Sequence, residues 1–447
     1  MNFSPEQIIA LAPDAPSAKA GHSLAAARKW SVVGCDERAV WGECQGSGKD
    51  PYRTQIDLTE PAFRCTCPSR KFPCKHALGL FLLFAAEGQT FGRTGRPEWV
   101  AEWLEKRDQQ TQRARKKEVA EVSTDAAPPK QKRAATKQGR ASDRRARVSA
   151  GLAELELWLR DLVRRGLADA QSQPTKYWEQ MSARLVDAQA PGTARRVREL
   201  SSATGYAEGW AEAVLSRVGL LYLLVEAFKR IDTLPEPVQA DVRVCLGWTM
   251  KEEELHADTG VRDRWVVVGQ LTYEEDKLRV QRTWLRGETC ARDALLLDFA
   301  APGQSLKASL LPGTALDAEL VFYPGNYPLR AAVRARHSPP EPCGPARGHA
   351  TVESLLDAYA EALARNPWIE VFPALLGEVV PVRREGGWIV RDSGGRLLPL
   401  SPRLGGGWEM LALSGGGPVT LFGEWDGRHL LPLGVWVEGR YSRIGVI

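Results

Sequence analysis

Residues 65–74 hold three of the chain's eight cysteines, and a histidine follows two positions after the third. The surrounding stretch, FRCTCPSRKFPCKHALGLFLL, thus sets Cys65, Cys67, Cys74 and His76 immediately before an apolar run. In an extended chain, positions two apart point to the same side, so the sulfurs of Cys65 and Cys67 converge on one point. Pro68 and Pro73 restrict the connecting loop and reduce the entropy lost in closing it. Cys74 and His76 arrive as the apolar helix begins. Three thiolates and an imidazole form the tetrahedral donor set that suits Zn(II). Inert core cysteines fit poorly beside Arg64, Ser69, Arg70 and Lys75, and a redox pair would more naturally use C-x-x-C, which is missing. With all four positions filled by protein, none is left for water or substrate, so a single structural zinc is expected.

The 447 residues leave room for several domains, and 43% hydrophobic with 26% charged residues is the composition of a globular chain. The start, MNFSPEQIIALAPDAP, lacks a basic and then apolar leader, and the apolar run at 218–225 is too short to span a bilayer. A cytoplasmic location is expected, and in that reducing setting clustered thiols point to metal rather than disulfides. The net charge of +5 is unevenly placed: residues 105–147 carry 14 Lys/Arg against 6 Asp/Glu.

The fold class expected is α+β and multidomain. Residues 1–104 read as an N-terminal unit with helices near 4–9 and 17–29, short strands, and the metal motif within about 52–88. A helix follows at 77–86, and another begins at Pro97 with Trp99, Val100, Trp103 and Leu104 on one face. Residues 105–147 lose apolar periodicity and read as a basic flexible linker. Leu152, Leu155, Leu159, Leu162 and Val163 restore a helical period, giving a helical domain over 148–232 with breaks near Pro174 and Pro191. Residues 233–349 read as β-rich, with a hairpin around 274–277. Residues 350–447 read as a second β-rich unit led by a helix at 352–365. No solenoid repeat is visible.

The pattern C-x-C-x₆-C-x-H before an apolar helix resembles the SWIM zinc finger. The longer string CPSRKFPCKHALGL, with WGECQGSG and PY upstream, is similar to the bacterial stand-alone SWIM family. That resemblance implies that Cys65, Cys67, Cys74 and His76 ligate zinc. It also implies a gene neighbourhood with MoxR-type AAA+ ATPases and von Willebrand factor A-domain proteins, hence such partners. SWIM modules bind DNA or protein.

Arg64, Arg70, Lys71 and Lys75 make the finger strongly cationic, with no acidic residue over 61–86. One or two of them offset the net negative charge of zinc with three thiolates. The surplus suits phosphate or another partner. Outside the finger no P-loop, G-x-S-x-G, H-E-x-x-H or strand-linked G-x-G-x-x-G occurs. Glu252, Glu253, Glu254 and His256 read as a solvated face rather than an acid/base cluster. Cys35 and Cys44 read as packing residues, and Cys245, Cys290 and Cys343 as buried fillers or surface accidents. Among fifteen tryptophans, packing is the default role, and an exposed subset would mark a partner surface. The expectation is a non-enzymatic adaptor with a structural zinc in an AAA+-associated system; the alternative is a DNA-binding factor using the finger and linker.

Overall fold

The computed structural model describes the chain except residues 1–4, 10, 13–14, 47–49, 60–61, 70, 89–90, 93–94, 110–130, 205–208, 249, 256–259, 276–277, 302–305, 307–309 and 447; for 6–7, 15, 131–141 and 253 it gives backbone only. The architecture is α+β: a small sheet carrying the Cys/His motif, a helical bundle, and a β-rich C-terminal half.

The N-terminal unit contains α1 (Pro5–Ile9), α2 (Ala15–Leu24), strands β1 (Trp30–Cys35), β2 (Ala39–Cys44), β3 (Tyr52–Asp57) and β4 (Ala62–Cys65), then α3 (Lys75–Glu87) and α4 (98–109). The strands form an antiparallel meander in sequence order. Alternation along β2 explains why both faces are covered. Val40 and Cys44 face a core shared with Leu80, Phe81 and Leu83 of α3. Ala39 and Trp41 face Val100, Trp103 and Leu104 of α4. Helices α2 and α3 touch through glycines, since a Cβ on Gly79 would sit 2.6 Å from Leu24 Cβ and 3.1 Å from the Gly21 carbonyl oxygen. Helix α2 ends at Leu24, short of the 17–29 span expected, and a 3₁₀ turn at Ala27–Lys29 leads into β1. On the α4 side, buried Asp57 meets Arg38 at 3.5 Å and Arg107 at 3.3 Å, and Arg38 also forms a two-pronged pair with Asp108.

The bundle comprises α5 (Gln131–Arg165), α6 (Leu167–Ser172), α7 (Thr175–Asp187), α8 (Pro191–Ala203), α9 (Trp210–Lys229) and α10 (Glu236–Leu246). Leu152, Leu155, Leu159 and Leu162 are buried in one core with Trp178, Leu185, Val197, Leu221 and Phe228, whereas Val163 lies exposed. Helix α5 begins inside the stretch whose composition reads as linker. Ala, Lys, Arg and Gln are strong helix formers, so a helix anchored by its packed C-terminal half extends back through residues with no apolar face of their own.

In the C-terminal half, β5 (Val261–Glu275), β6 (Leu278–Gly287) and β7 (Asp293–Ala300) form a meander, and β8 (Thr314–Phe322) returns beside β5 with β9 (Ala331–Arg336) outside it. A parallel bridge from Leu295 to Arg330, with the Leu295 N–H donating to the Leu329 carbonyl at 2.7 Å, joins β7 to the start of β9. The sheet therefore closes into a small barrel, filled by Trp265, Val267, Leu285, Leu296, Leu316 and Leu320. A bulge between Val267 and Gly269 lets long β5 curve. After the two-residue strand β10 (Glu341–Pro342) and α11 (Val352–Arg365), a second antiparallel sheet contains β11 (Phe372–Arg384), β12 (Gly387–Arg391), β13 (Leu397–Pro399), β14 (Val419–Trp425), β15 (Leu430–Val437) and β16 (Arg440–Arg443), with α12 (Gly407–Ser414) between β13 and β14. Its one face packs on the barrel through Phe422, Leu433, Trp436, Val266 and Trp284; the other is covered by α11 and α12. Buried Glu424 accepts from Trp284 Nε1 at 2.8 Å and from Arg282 at 2.6 Å across that seam. Trp368 is inserted into the bundle core and donates to the Leu220 carbonyl at 3.1 Å, while Glu370 pairs with Arg195 and Arg196.

The tryptophans fall mostly where packing needs them: Trp265, Trp284, Trp368, Trp425 and Trp436 are buried. Trp408 is the exception at 68% exposed, set edge-on against Trp388. Cys35, Cys44 and Cys245 are buried, and Cys290 and Cys343 partly so. Glu252 and Glu254 are exposed, and His256 lies outside the described residues. No helix among the described residues is long and apolar enough to cross a membrane.

Candidate metal centre

The β3–β4 hairpin sets the first two donors. Thr54 lies opposite Cys65 in register, and beyond β4 the chain stays extended because Thr66 N–H donates to the Arg53 carbonyl while Arg53 N–H donates to Thr66 Oγ1, both at 3.0 Å. Cys65 and Cys67 therefore project to one side, as alternation requires. The loop then turns at Ser69, whose hydroxyl accepts from Lys71 N–H at 3.2 Å. Cys74 is the N-cap residue of α3 in extended conformation, and its carbonyl accepts the first helical bond from Leu78 N–H at 3.1 Å. His76 lies in the first turn, 5% exposed, with the Tyr52 ring 5.1 Å away.

The four donor atoms lie within 4.8 Å of one another, the one Cys/His cluster of this kind among the described residues. His76 Nδ1 stands 3.8 Å from Cys65 Sγ and 4.0 Å from Cys74 Sγ. A zinc–sulfur distance of about 2.3 Å gives tetrahedral edges of about 3.8 Å, so the cluster already has the dimensions of the coordination shell. The donors fit one Zn(II), with Cys65, Cys67, Cys74 and His76 holding it.

The electrostatics agree with a site made for a cation. The Cys67 thiol is held well below its ordinary value by hydrogen bonds from Cys65 and Cys74, with the Ser69 backbone adding to the effect. Cys74 is pushed far up by the neighbouring sulfurs and by burial, against a smaller contribution from the Ala77 backbone. Burial alone would lower His76, yet hydrogen bonds and charge from Cys65 and Cys67 raise it to about 9. Crowded sulfurs thus compete for protons, a conflict that a divalent ion resolves. Thr54 Oγ1 donates to Cys65 Sγ at 3.2 Å and fixes that ligand from outside the coordination shell. The sequence gives no sign of the part Thr54 plays, because it depends on strand register; Tyr52 is the tyrosine of the upstream PY, though nothing in that pattern places it beside His76.

Of the flanking cations, Arg64, Lys71 and Lys75 are exposed, and Arg70 lies outside the described residues. Arg64 follows the strand alternation away from Cys65. Cys44 is buried near the site but is not among the four donors. Its thiol is raised chiefly by burial.

Residues 52–84 match the family model of the SWIM zinc finger. Residues 143–246 match that of the SWIM-associated four-helix bundle domain, a span that begins in α5 and ends with α10. The chain thus carries a SWIM zinc finger followed by the helical domain that is associated with such fingers. No curated protein and no solved structure matches it.

Proposed function

We propose that this is a non-enzymatic, zinc-stabilised adaptor that brings protein partners together in an AAA+ ATPase-associated system. The observation that carries this reading is the closed donor set: four protein ligands pin α3 to the β3–β4 hairpin and leave no coordination position for substrate. The ion then serves to hold a surface in shape. The AAA+ or von Willebrand factor A-domain partner follows from the sequence resemblance described above. Affinity purification from the native host, followed by reconstitution with the purified ATPase, is the test. A stoichiometric complex that survives moderate salt is expected. Failure of the two purified proteins to associate overturns the partner assignment.

A second reading, DNA binding, is favoured by the exposure of Arg64, Lys71 and Lys75 around the finger. Phosphate contacts give affinity that falls steeply with salt. If this reading holds, Arg64→Glu with Lys75→Glu lowers duplex DNA affinity and flattens its salt dependence. Unchanged binding in that double variant excludes the finger as the contact surface.

A further inference from the structure

The finger does not stand apart from the barrel. Leu311, just before β8, is buried in the finger's own core. Arg443 at the end of β16 donates to the Ala12 carbonyl at 3.2 Å. Between these contacts lies a cavity of about 300 Å³, at the small end of ligand-sized pockets, which run from about 300 to 1,000 Å³. The finger loop lines it through Lys71 and Phe72; the end of β5 and the start of β6 line it through Tyr273, Glu274 and Arg279, and Arg443 lines it as well.

Two features set this cavity apart from a packing gap. Among the described residues, three cationic side chains and one carboxylate line it, so it favours an anion. Phe72 and Tyr273 add aromatic rings, the combination that grips a base and its phosphate together. Its position in the barrel gives an independent reason. The order β7–β6–β5–β8–β9 with a parallel closing bridge is the arrangement of OB-type barrels, which bind ligands on the second and third strands and on the loop joining the first two. Here the outer barrel face is buried under β14–β16, and the end of β5 and the start of β6 line the cavity. Fold alone assigns no ligand; the charged and aromatic lining does.

We propose that the seam between the zinc finger and the barrel binds a nucleoside phosphate, either a free nucleotide or the phosphorylated end of a strand. The zinc clamp holds the loop that carries Lys71 and Phe72, so the metal shapes one wall of this site. The inference goes beyond the adaptor reading, which can fail without it.

Calorimetric titration of the zinc-loaded full chain with AMP, adenosine and a 5′-phosphorylated or 5′-hydroxyl tetranucleotide tests it. One AMP per chain is expected, with adenosine at least about tenfold weaker. Arg279→Glu and Lys71→Glu each weaken AMP about tenfold or more while zinc content and near-ultraviolet dichroism stay unchanged, and Glu274→Gln tightens it. Arg28→Glu, an exposed cation of the same unit outside the cavity, leaves affinity as it was. A phosphorylated tetranucleotide that outcompetes AMP identifies a strand end as the ligand; AMP binding at least as tightly identifies a free nucleotide. Absence of saturable binding by AMP and by the phosphorylated tetranucleotide, adenosine binding as tightly as AMP, or an equal loss in Arg28→Glu overturns the proposal.

Discussion

Replacing His76 by alanine removes one of four donors from a site in which Cys74 and His76 are 4% and 5% exposed. The magnitude follows from comparing two contributions. Full burial of an apolar side chain is worth about 1.5–3 kcal/mol, so Leu78, Leu80, Phe81 and Leu83, the most buried apolar residues of α3, together contribute about 6–12 kcal/mol. A structural zinc of this kind contributes about 10–16 kcal/mol near neutral pH. The metal is therefore worth at least as much as the main apolar contact of the helix it fastens, and a domain retains only about 5–15 kcal/mol of net stability. His76→Ala is expected to lose the ion and to release α3 from the sheet, with the bundle and C-terminal half still folded because their cores are their own. Hydrogen exchange read by mass spectrometry, with zinc measured in parallel, checks this: protection over Lys75–Glu87 and Tyr52–Asp57 should collapse while α9 and β14 keep theirs. Cys74→Ser should behave alike. A His76→Ala protein that keeps one zinc per chain, or a zinc-free chain that keeps α3 protected, refutes the reasoning.

Two further outcomes test the rest of the molecule. Glu424→Ala strands Arg282 and the Trp284 indole N–H at the barrel–sheet seam, and loss of one partner of a buried pair costs about 3–5 kcal/mol; chemical denaturation of the C-terminal half should show it, with Glu424→Gln milder because its amide oxygen still accepts from Trp284. Buried Asp241, whose carboxylate accepts from Asn326 N–H, is raised by burial from 3.8 to about 6, so it holds its proton more tightly in the folded chain. Its favourable contribution is complete below about 4 and is lost as pH rises through about 6; Asp241→Asn should flatten thermal stability across that window and raise it at pH 7 by about 3 kcal/mol.

What the sequence discloses divides along contact range. The metal donors are legible because Cys65, Cys67, Cys74 and His76 lie within one short stretch of chain, where spacing largely decides which atoms can meet. Helical spacing likewise exposes Leu152, Leu155, Leu159 and Leu162 as a buried stripe, and the boundaries of α11 can be read from its pattern. The contacts that join units are illegible for the opposite reason. Thr54 becomes a partner of Cys65 only through strand register, Trp368 enters a bundle built from residues far upstream, and Arg282 meets Glu424 across 142 positions. Periodicity shows that such side chains are buried and says nothing of which neighbour they choose. The stretch that composition reads as tether shows the converse failure, since Ala, Lys, Arg and Gln without an apolar stripe suit both a solvated coil and the exposed extension of a helix anchored elsewhere. The same division bears on function. Lys71 looks like a phosphate contact or a balancing charge for the zinc site when the loop is read alone, and only the fold brings Arg279 and Arg443 into the lining of the same cavity. Its charge belongs to a seam between two units, so its chemical role depends on the zinc clamp and the barrel together.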